Sequence, residues 1–531
     1  VSQQTDDVVS LIEALSRPTA YPHPVGDIEV HQTHISIVFL AGPFAYKIKK
    51  PVNLGFIDFS SLPQRRHFCE EEVRLNRRLA PHVYLGVVPV TPDADGLQFA
   101  GAGAPVEYAV QMKRLPAEAT LESRLDRHEV TEAHVRTLAA RLADFHRRAE
   151  GSARISSFGR FAVVAGNARE NFPQTLPDVG VSVSATVHRR VHDLTEQQLQ
   201  QHRIRIERRA EQNVPRDTHG DLHLDHVYCF PDRSPPDDFV MIDCIEFADR
   251  FRFADPVADM AFLAMDFAFH GRHDLGRAFA DAYFAARQDE DGRTLLPFYS
   301  AYRAVVRAKV EGMELGEKEI DAGERASALV RARAHWLLAL GELEQPARRP
   351  ALVMMAGLPG SGKSTLALTL ADRADFKILR SDVIRKELAG AGATSEATFE
   401  NGIYSAAWTE RTYAEMLRRA SSLLWDGARV LIDANFRADT QRRLFADTAR
   451  RWGVPALFIH CVTPPAIARA RLEARRPGPS DADWTIYQRL ASTWEAPSPE
   501  IRRLLFEADT SASVGECVTL LLAQLRQVGI G

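Results

Sequence analysis

Between an apolar run, Ala351 to Ala356, and a helix-forming stretch, Thr365 to Asp372, stands the octapeptide Gly357-Leu358-Pro359-Gly360-Ser361-Gly362-Lys363-Ser364. The run predicts a buried parallel strand and the stretch a helix. Strand, glycine loop, lysine, hydroxyl and helix in that order make a P-loop. Glycines let backbone N–H groups turn inward around phosphate oxygens, and the helix N-terminus adds its dipole. Gly357, Gly360, Ser361, Gly362, Lys363, Ser364 and Thr365 are therefore expected to hold a nucleoside triphosphate, with Mg²⁺ on Ser364. Lys363 is expected to reach the β- and γ-phosphates, and ATP is the expected nucleotide.

A chain of 531 residues is too long for one core. Its apolar content of 45% and charged content of 26% are those of a soluble globular protein. A net charge of −4 argues against a general nucleic-acid coat. Cys69, Cys229, Cys244, Cys461 and Cys517 lie far apart, the pattern of reduced, buried thiols. The polar, acidic first residues carry no signal-peptide pattern, and no apolar run reaches membrane-spanning length. The expected location is cytoplasmic, without membrane contact.

Glu344 to Pro350 is polar, carries two prolines, and is expected to be a linker. Beyond it, apolar runs at Lys377 to Leu379, Ala428 to Asp433 and Ala456 to Val462 alternate with helical patterns at Thr409 to Leu424 and Pro465 to Arg475. That alternation predicts an α/β domain over 351–531, its parallel sheet flanked by helices. The part before the linker differs. Strand-like segments at Ile28 to Thr33, Ile35 to Leu40 and Phe44 to Lys49 predict a small antiparallel meander. Gln64 to Leu79 reads as a helix, Val106 to Met112 as a strand, and helices dominate from Thr131 onward. Strands first and helices after predict an α+β layout in two lobes, 25–115 and 116–343, behind a helical extension at 1–24.

The first half carries its own candidate chemistry. His219-Gly220-Asp221-Leu222-His223-Leu224-Asp225-His226 falls in a loop, and the apolar strand Phe239 to Ile242 ends in Asp243. A loop carboxylate acting as base, followed by a strand-end carboxylate holding Mg²⁺, is the arrangement of eukaryotic-type kinases. Lys47 lies in a strand where it would meet the α- and β-phosphates. On the following helix Glu70, Glu71 and Glu72 compete to orient it. Glu72 shares a face with Arg65, Leu75 and Leu79, which points it inward.

On these residues the stretch from about 25 to 340 resembles the aminoglycoside phosphotransferase-like kinases, which have a bilobal protein-kinase-like fold. The resemblance implies Asp221 as base, Asp243 as metal ligand, and Gln111 to Leu115, with Met112, as the hinge that receives adenine. Asp255 to Asp259 resembles a segment packed behind the site, and His146 a structural position. Two departures stand out. His226 replaces the asparagine that binds a second Mg²⁺, and imidazole is a poor Mg²⁺ ligand. That leaves the second metal weak, held by Asp225, or missing. Gln32-Thr33-His34 replaces a glycine-rich loop, leaving hydroxyls and a few amides for phosphate contact.

In the second half Asp382 follows a short strand and Arg385 comes three residues on. A carboxylate there accepts a proton from a substrate hydroxyl, and the arginine steers an anionic group. Asp433 ends a strand as a second Mg²⁺ ligand. Arg471 and Arg475 share one helix face before the turn Pro477 to Ser480, as a lid over a triphosphate would. Residues 350 to 525 resemble the P-loop kinases grouped with polynucleotide kinase and zeta-type toxins. The whole resembles bacterial fusions of the two kinds. The implied activity is ATP-dependent transfer of phosphate to a hydroxyl of a small polar molecule, such as a sugar, amino sugar or aminoglycoside. The rival readings are a nucleotide-sensing pseudokinase that regulates the P-loop half, and a nucleic-acid 5′-end kinase, which the acidic balance disfavours.

Overall fold

A computed structural model of the chain describes residues 2–53, 57–94, 96–316, 320–390, 405–474 and 482–531. They form two compact units: Val1–Val164 with Arg203–Asp266 and Asp274–Thr294, and Ala165–His202 with Phe267–His273 and Leu295–Gly531.

The first unit opens with an antiparallel sheet of β1 (Ile28–Gln32), β2 (Ser36–Ala41), β3 (Phe44–Lys49), β4 (Tyr84–Asp93), β5 (Gly96–Phe99) and β6 (Glu107–Lys113). Their spatial order is β1-β2-β3-β6-β4-β5. The expected meander is thus half of a larger sheet. The hairpin of β4 and β5 escaped the sequence reading because Gly86, Pro89 and Pro92 interrupt its alternation. Pro89 lies beyond the ladder with the short β5, and its carbonyl still accepts the Ala100 amide at 2.8 Å. The helix Leu62–Asn76 starts at a capping box made by Ser61 and Gln64, and packs on β4 and β6. Its buried face carries Arg65, Cys69, Glu72, Val73 and Leu75, at helical spacing.

Further along this unit come β7 (Arg216–Asp217), β8 (Val227–Cys229), β9 (Phe239–Met241) and β10 (Phe253–Ala254). β7 pairs with β10 and β8 with β9, so two short ladders hold the loop 218–226 beside the turn after β9. Ala45, Val110 and Met112 of the sheet pack with Phe230 and Val240 in one apolar cluster.

In the second unit β11 (Ala351–Ala356), β12 (Lys377–Arg380), β13 (Arg429–Asp433), β14 (Ala456–Val462) and β15 (Leu505–Asp509) run parallel in the order β12-β13-β11-β14-β15. β11 has a neighbour on each side and is buried along its whole length, which is why its sequence is apolar without alternation. One face of the sheet packs on the helices Lys363–Arg373 and Val514–Gln527 through Leu366, Leu370, Val518 and Leu521. The helices Ala406–Trp425 and Asp439–Arg451 pack on β13 and β11. β15 was not expected, because Glu507 and Asp509 break its apolar run; only an edge strand accommodates them.

The paired helices Leu296–Glu314 and Ala322–Leu343 belong to this second unit. Residues 344–350 lie inside it as well: buried Glu344 meets Arg190 at 2.5 Å, and Arg429 donates to the Pro346 carbonyl at 3.0 Å. The helix Ala322–Leu343 seats against the end of the helix Ala406–Trp425 and the turn at Gly453. Arg333 lies over the Trp425 ring, and a Cβ on Gly453 would stand 2.3 Å from the Ala334 carbonyl oxygen. Gly453 also has φ of 62°, so a side chain there meets both strain and backbone. Gly453→Val is expected to cost about 3 kcal/mol or more. Urea unfolding of the full chain, read as a lowered first midpoint, checks it.

All five cysteines are buried and unpaired. No helix among the described residues is long and apolar enough to cross a membrane.

Candidate active sites

The glycine loop leaves β11 and turns into the helix Lys363–Arg373. Gly360 and Gly362 take φ of 77° and 81°. A Cβ on Gly360 would lie 2.6 Å from the Ala468 carbonyl oxygen, so close approach as well as backbone conformation requires glycine. The loop borders a cavity of about 280 Å³ lined by Gly360, Gly362, Lys363, Ser364, Thr365, Arg471 and Thr510. Thr510 donates to the Ser361 carbonyl at 2.6 Å and ties the end of β15 to the loop. Arg471 donates through Nη2 to the Thr510 carbonyl at 2.7 Å, and its Nη1 lies 3.3 Å from where a Gly362 Cβ would be.

Three buried polar atoms here have no partner among the described residues: Ser361 Oγ, Arg471 Nη1 and Asp433 Oδ1. Buried polar groups are normally paired, so each unpaired one calls for an explanation. Asp433 ends β13 level with Met355, at the start of the loop, and its other oxygen accepts from Arg380 at 3.3 Å. Ser361 belongs to the glycine loop, Arg471 lines the cavity beside it, and Asp433 stands at the end of the neighbouring strand.

Asp382 and Arg385 lie on the helix Ser381–Ala389, which follows β12 at the same carboxyl edge of the sheet. Arg385 is buried, with Thr409 Oγ1 at 3.5 Å. Both residues act on Tyr413, whose phenol is pushed well up by burial. Tyr413 donates to Asn435 Oδ1 at 3.1 Å and accepts from the Phe436 amide at 3.1 Å. The sequence reading missed Tyr413 and Thr510. Arg475 and the turn 477–480 lie outside the described residues.

In the first unit Lys47 on β3 meets Glu72 at 3.0 Å and also pairs with Asp243. Glu70 and Glu71 turn outward to Arg66 and Arg74. Burial opposes charge on Asp243, yet Lys47 and His226 outweigh it and hold the carboxyl far below the usual range. Lys49, two residues along the strand, faces the same side and bridges Glu72 and Glu246 at 2.7 and 2.5 Å. This buried partner was missed; a second lysine on the core face of an apolar strand was the available signal.

The loop with Asp221 is held from below. Asp259 accepts the His219 and Gly220 amides at 3.0 and 2.8 Å, and His146 holds Asp259 at 3.0 Å. His226 Nδ1 lies 2.8 Å from the Asp221 carbonyl, and its Nε2 lies 3.7 Å from Asp243. Asp225 points to His223. Met112 sits within β6 in the apolar cluster, with Leu115, Tyr228 and Ile242 half-buried beside it. At the turn of β1 and β2, the Thr33 hydroxyl accepts from the Ile35 and Ser36 amides. The turn thus uses the amides of Ile35 and Ser36 itself.

His219 donates through Nε2 to the Ile242 carbonyl at 2.9 Å and accepts the Asp221 amide on Nδ1 at 3.3 Å. Only the neutral ring makes both bonds. Burial lowers its pKa to about 4, with His226 adding to the shift and Asp259 opposing it. The unfolded state therefore binds the extra proton. Stability is retained above about pH 6.5 and falls as pH drops toward 4, by up to about 3 kcal/mol from this group. Urea midpoints at pH 7 and pH 5 check it, with His219→Gln expected to flatten the difference.

Residues 59–298 match the Phosphotransferase enzyme family, and residues 352–497 match the AAA domain. An uncharacterized protein of Mycobacterium tuberculosis, Rv2004c, is 34% identical over 484 residues, covering 89% of this chain and 92% of the relative. The Mycobacterium bovis protein Mb2027c gives the same figures. Among solved structures, the GDP complex of aminoglycoside 2′-phosphotransferase-IIIa is 15% identical, covers 63% of this chain and 98% of its own, and has a TM-score of 0.39. A sugar kinase from Janibacter sp. HTCC2649 is 20% identical over 34% of this chain and 96% of its own, with a TM-score of 0.25. The chain belongs to the family of these mycobacterial proteins, and it joins a phosphotransferase-family kinase-like domain and a P-loop domain in one polypeptide.

Proposed function

We propose that the P-loop domain transfers the γ-phosphoryl group of ATP to a hydroxyl of a small polar molecule, of the sugar, amino-sugar or aminoglycoside class. The observation that carries this reading is the cavity of about 280 Å³ at the glycine loop, lined by Lys363, Ser364, Thr365 and Arg471, with Asp433 at the end of the neighbouring strand β13. Loop amides and Lys363 bind the β- and γ-phosphates, and Arg471 offers charge to the group in transfer. Ser364 and Asp433 would hold Mg²⁺, which when bound draws charge from the phosphate oxygens. Asp382 receives the acceptor's proton. Arg385 positions that acceptor, since phosphoryl transfer depends mainly on alignment and charge neutralisation.

A second transfer site in the first unit is favoured by the Lys47, Glu72 and Asp243 cluster beside Asp221. There the half-buried apolar residues next to Met112 suit a nucleobase. Labelled ATP offered to the full chain with sugars, amino sugars, aminoglycosides, nucleosides and 5′-hydroxyl oligonucleotides tests both readings. Transfer to a small hydroxyl compound supports them; transfer to the oligonucleotide alone, or to nothing, refutes the acceptor class.

A further inference from the structure

Among the described residues one set of histidine and carboxylate side chains has metal-ligand spacing: Asp221, His223 and His226, with one ligand atom of each within 4.8 Å of the others. His223 Nε2 stands 3.6 Å from Asp221 Oδ2, and His226 Nε2 stands 3.7 Å from Asp243 Oδ2. Both separations are too long for a hydrogen bond. Two ligand atoms at about 2.1 Å from one ion, at a tetrahedral angle, lie about 3.4 Å apart. The separation of His223 from Asp221 fits atoms that share a cation, and that of His226 from Asp243 places Asp243 at the edge of the same cluster.

Ring orientation points the same way. The Asp221 carbonyl can only accept, so in the neutral tautomer, the form that binds metal, His226 carries its proton on Nδ1 and its lone pair on Nε2. His223 Nδ1 faces the Asp225 carboxylate, which turns its Nε2 toward Asp221. Metal-binding imidazoles are commonly held in this way, one ring N–H on a carbonyl or carboxylate and the other nitrogen on the ion. The donor set then selects the ion. Mg²⁺ keeps to oxygen, whereas two imidazoles with a carboxylate suit zinc, cobalt or manganese.

We propose that the loop 221–226 binds one divalent transition-metal ion through Asp221, His223 and His226, with Asp243 at the edge of the site. Binding needs no nucleotide. Because Asp221 is a ligand, a bound ion also occupies the carboxylate needed as base in this unit. That consequence rests on the second transfer reading above, whereas the binding does not.

The test uses the full chain, stripped with chelator and returned to Mg²⁺ buffer. Cobalt titration is expected to give a visible absorption band saturating at one ion per chain, and zinc to displace it. By calorimetry His226→Asn is expected to weaken zinc about 100-fold, and Asp225→Asn, which removes only the orienting carboxylate, about 10-fold. Asp225 is exposed, so its substitution leaves folding intact, and thermal melting of each variant checks that. Absence of a stoichiometric cobalt band overturns the proposal. So does zinc affinity unchanged in the Asp225→Asn and His226→Asn chains. Phosphate transfer is not read in this experiment, so a failure of the transfer reading leaves its outcome untouched.

Discussion

Lys363→Ala is expected to lower transfer by the P-loop domain on the order of 10³-fold, with loss of Mg²⁺-dependent ATP binding at that site. The expectation follows from how few cations among the described residues line that cavity. Lys363 is the first residue of the helix Lys363–Arg373 and faces the cavity with Gly362 and Ser364. Among the described residues that line the cavity Arg471 is the other cation, and one of its nitrogens is committed to the Thr510 carbonyl. The alanine chain should fold normally, because Lys363 is outside the apolar cluster formed by Leu366, Leu370 and β11. Labelled-ATP transfer and calorimetry on the intact chain check this. A variant that melts as the parent and transfers at the parent's rate would remove Lys363 from the mechanism and with it the proposed site.

How legible the site was depends on whether its parts are local in sequence. Gly357 to Thr365 could be read directly, because strand, loop and helix are contiguous and the loop's requirement for glycine is steric. Lys47, Glu72 and Asp243 could be anticipated in order but not in contact, since their meeting depends on how β3, the helix Leu62–Asn76 and the turn after β9 assemble. Helix periodicity was enough to choose Glu72 over Glu70 and Glu71. It said nothing of Lys49 and Glu246, which share that buried cluster for reasons set by tertiary packing. Thr510 was invisible because β15 reads as a polar segment. The partnership of the helix Ala322–Leu343 with the second unit was also hidden. Gly453 reveals it only once Ala334 is seen against it.

Asp221→Asn is expected to remove transfer by the first unit, by about 10²- to 10⁴-fold if the carboxylate serves as general base. Asparagine keeps the shape of the side chain and loses only its basicity. The loop should hold, because its anchors lie elsewhere: the Asp221 amide on His219, the Asp221 carbonyl on His226, and the His219 and Gly220 amides on Asp259. The decisive comparison is made in a Lys363→Ala background, with a chelator that removes transition metals and spares Mg²⁺. Residual transfer that disappears on adding Asp221→Asn assigns a second reaction to the first unit. If Lys363→Ala alone abolishes every product while ATP still binds in a Lys47-dependent way, the first unit holds nucleotide without turning it over. His226 makes that alternative physically reasonable, since an imidazole stands where a second Mg²⁺ would need oxygen. The two outcomes are separated by one pair of substitutions, read on the same intact chain.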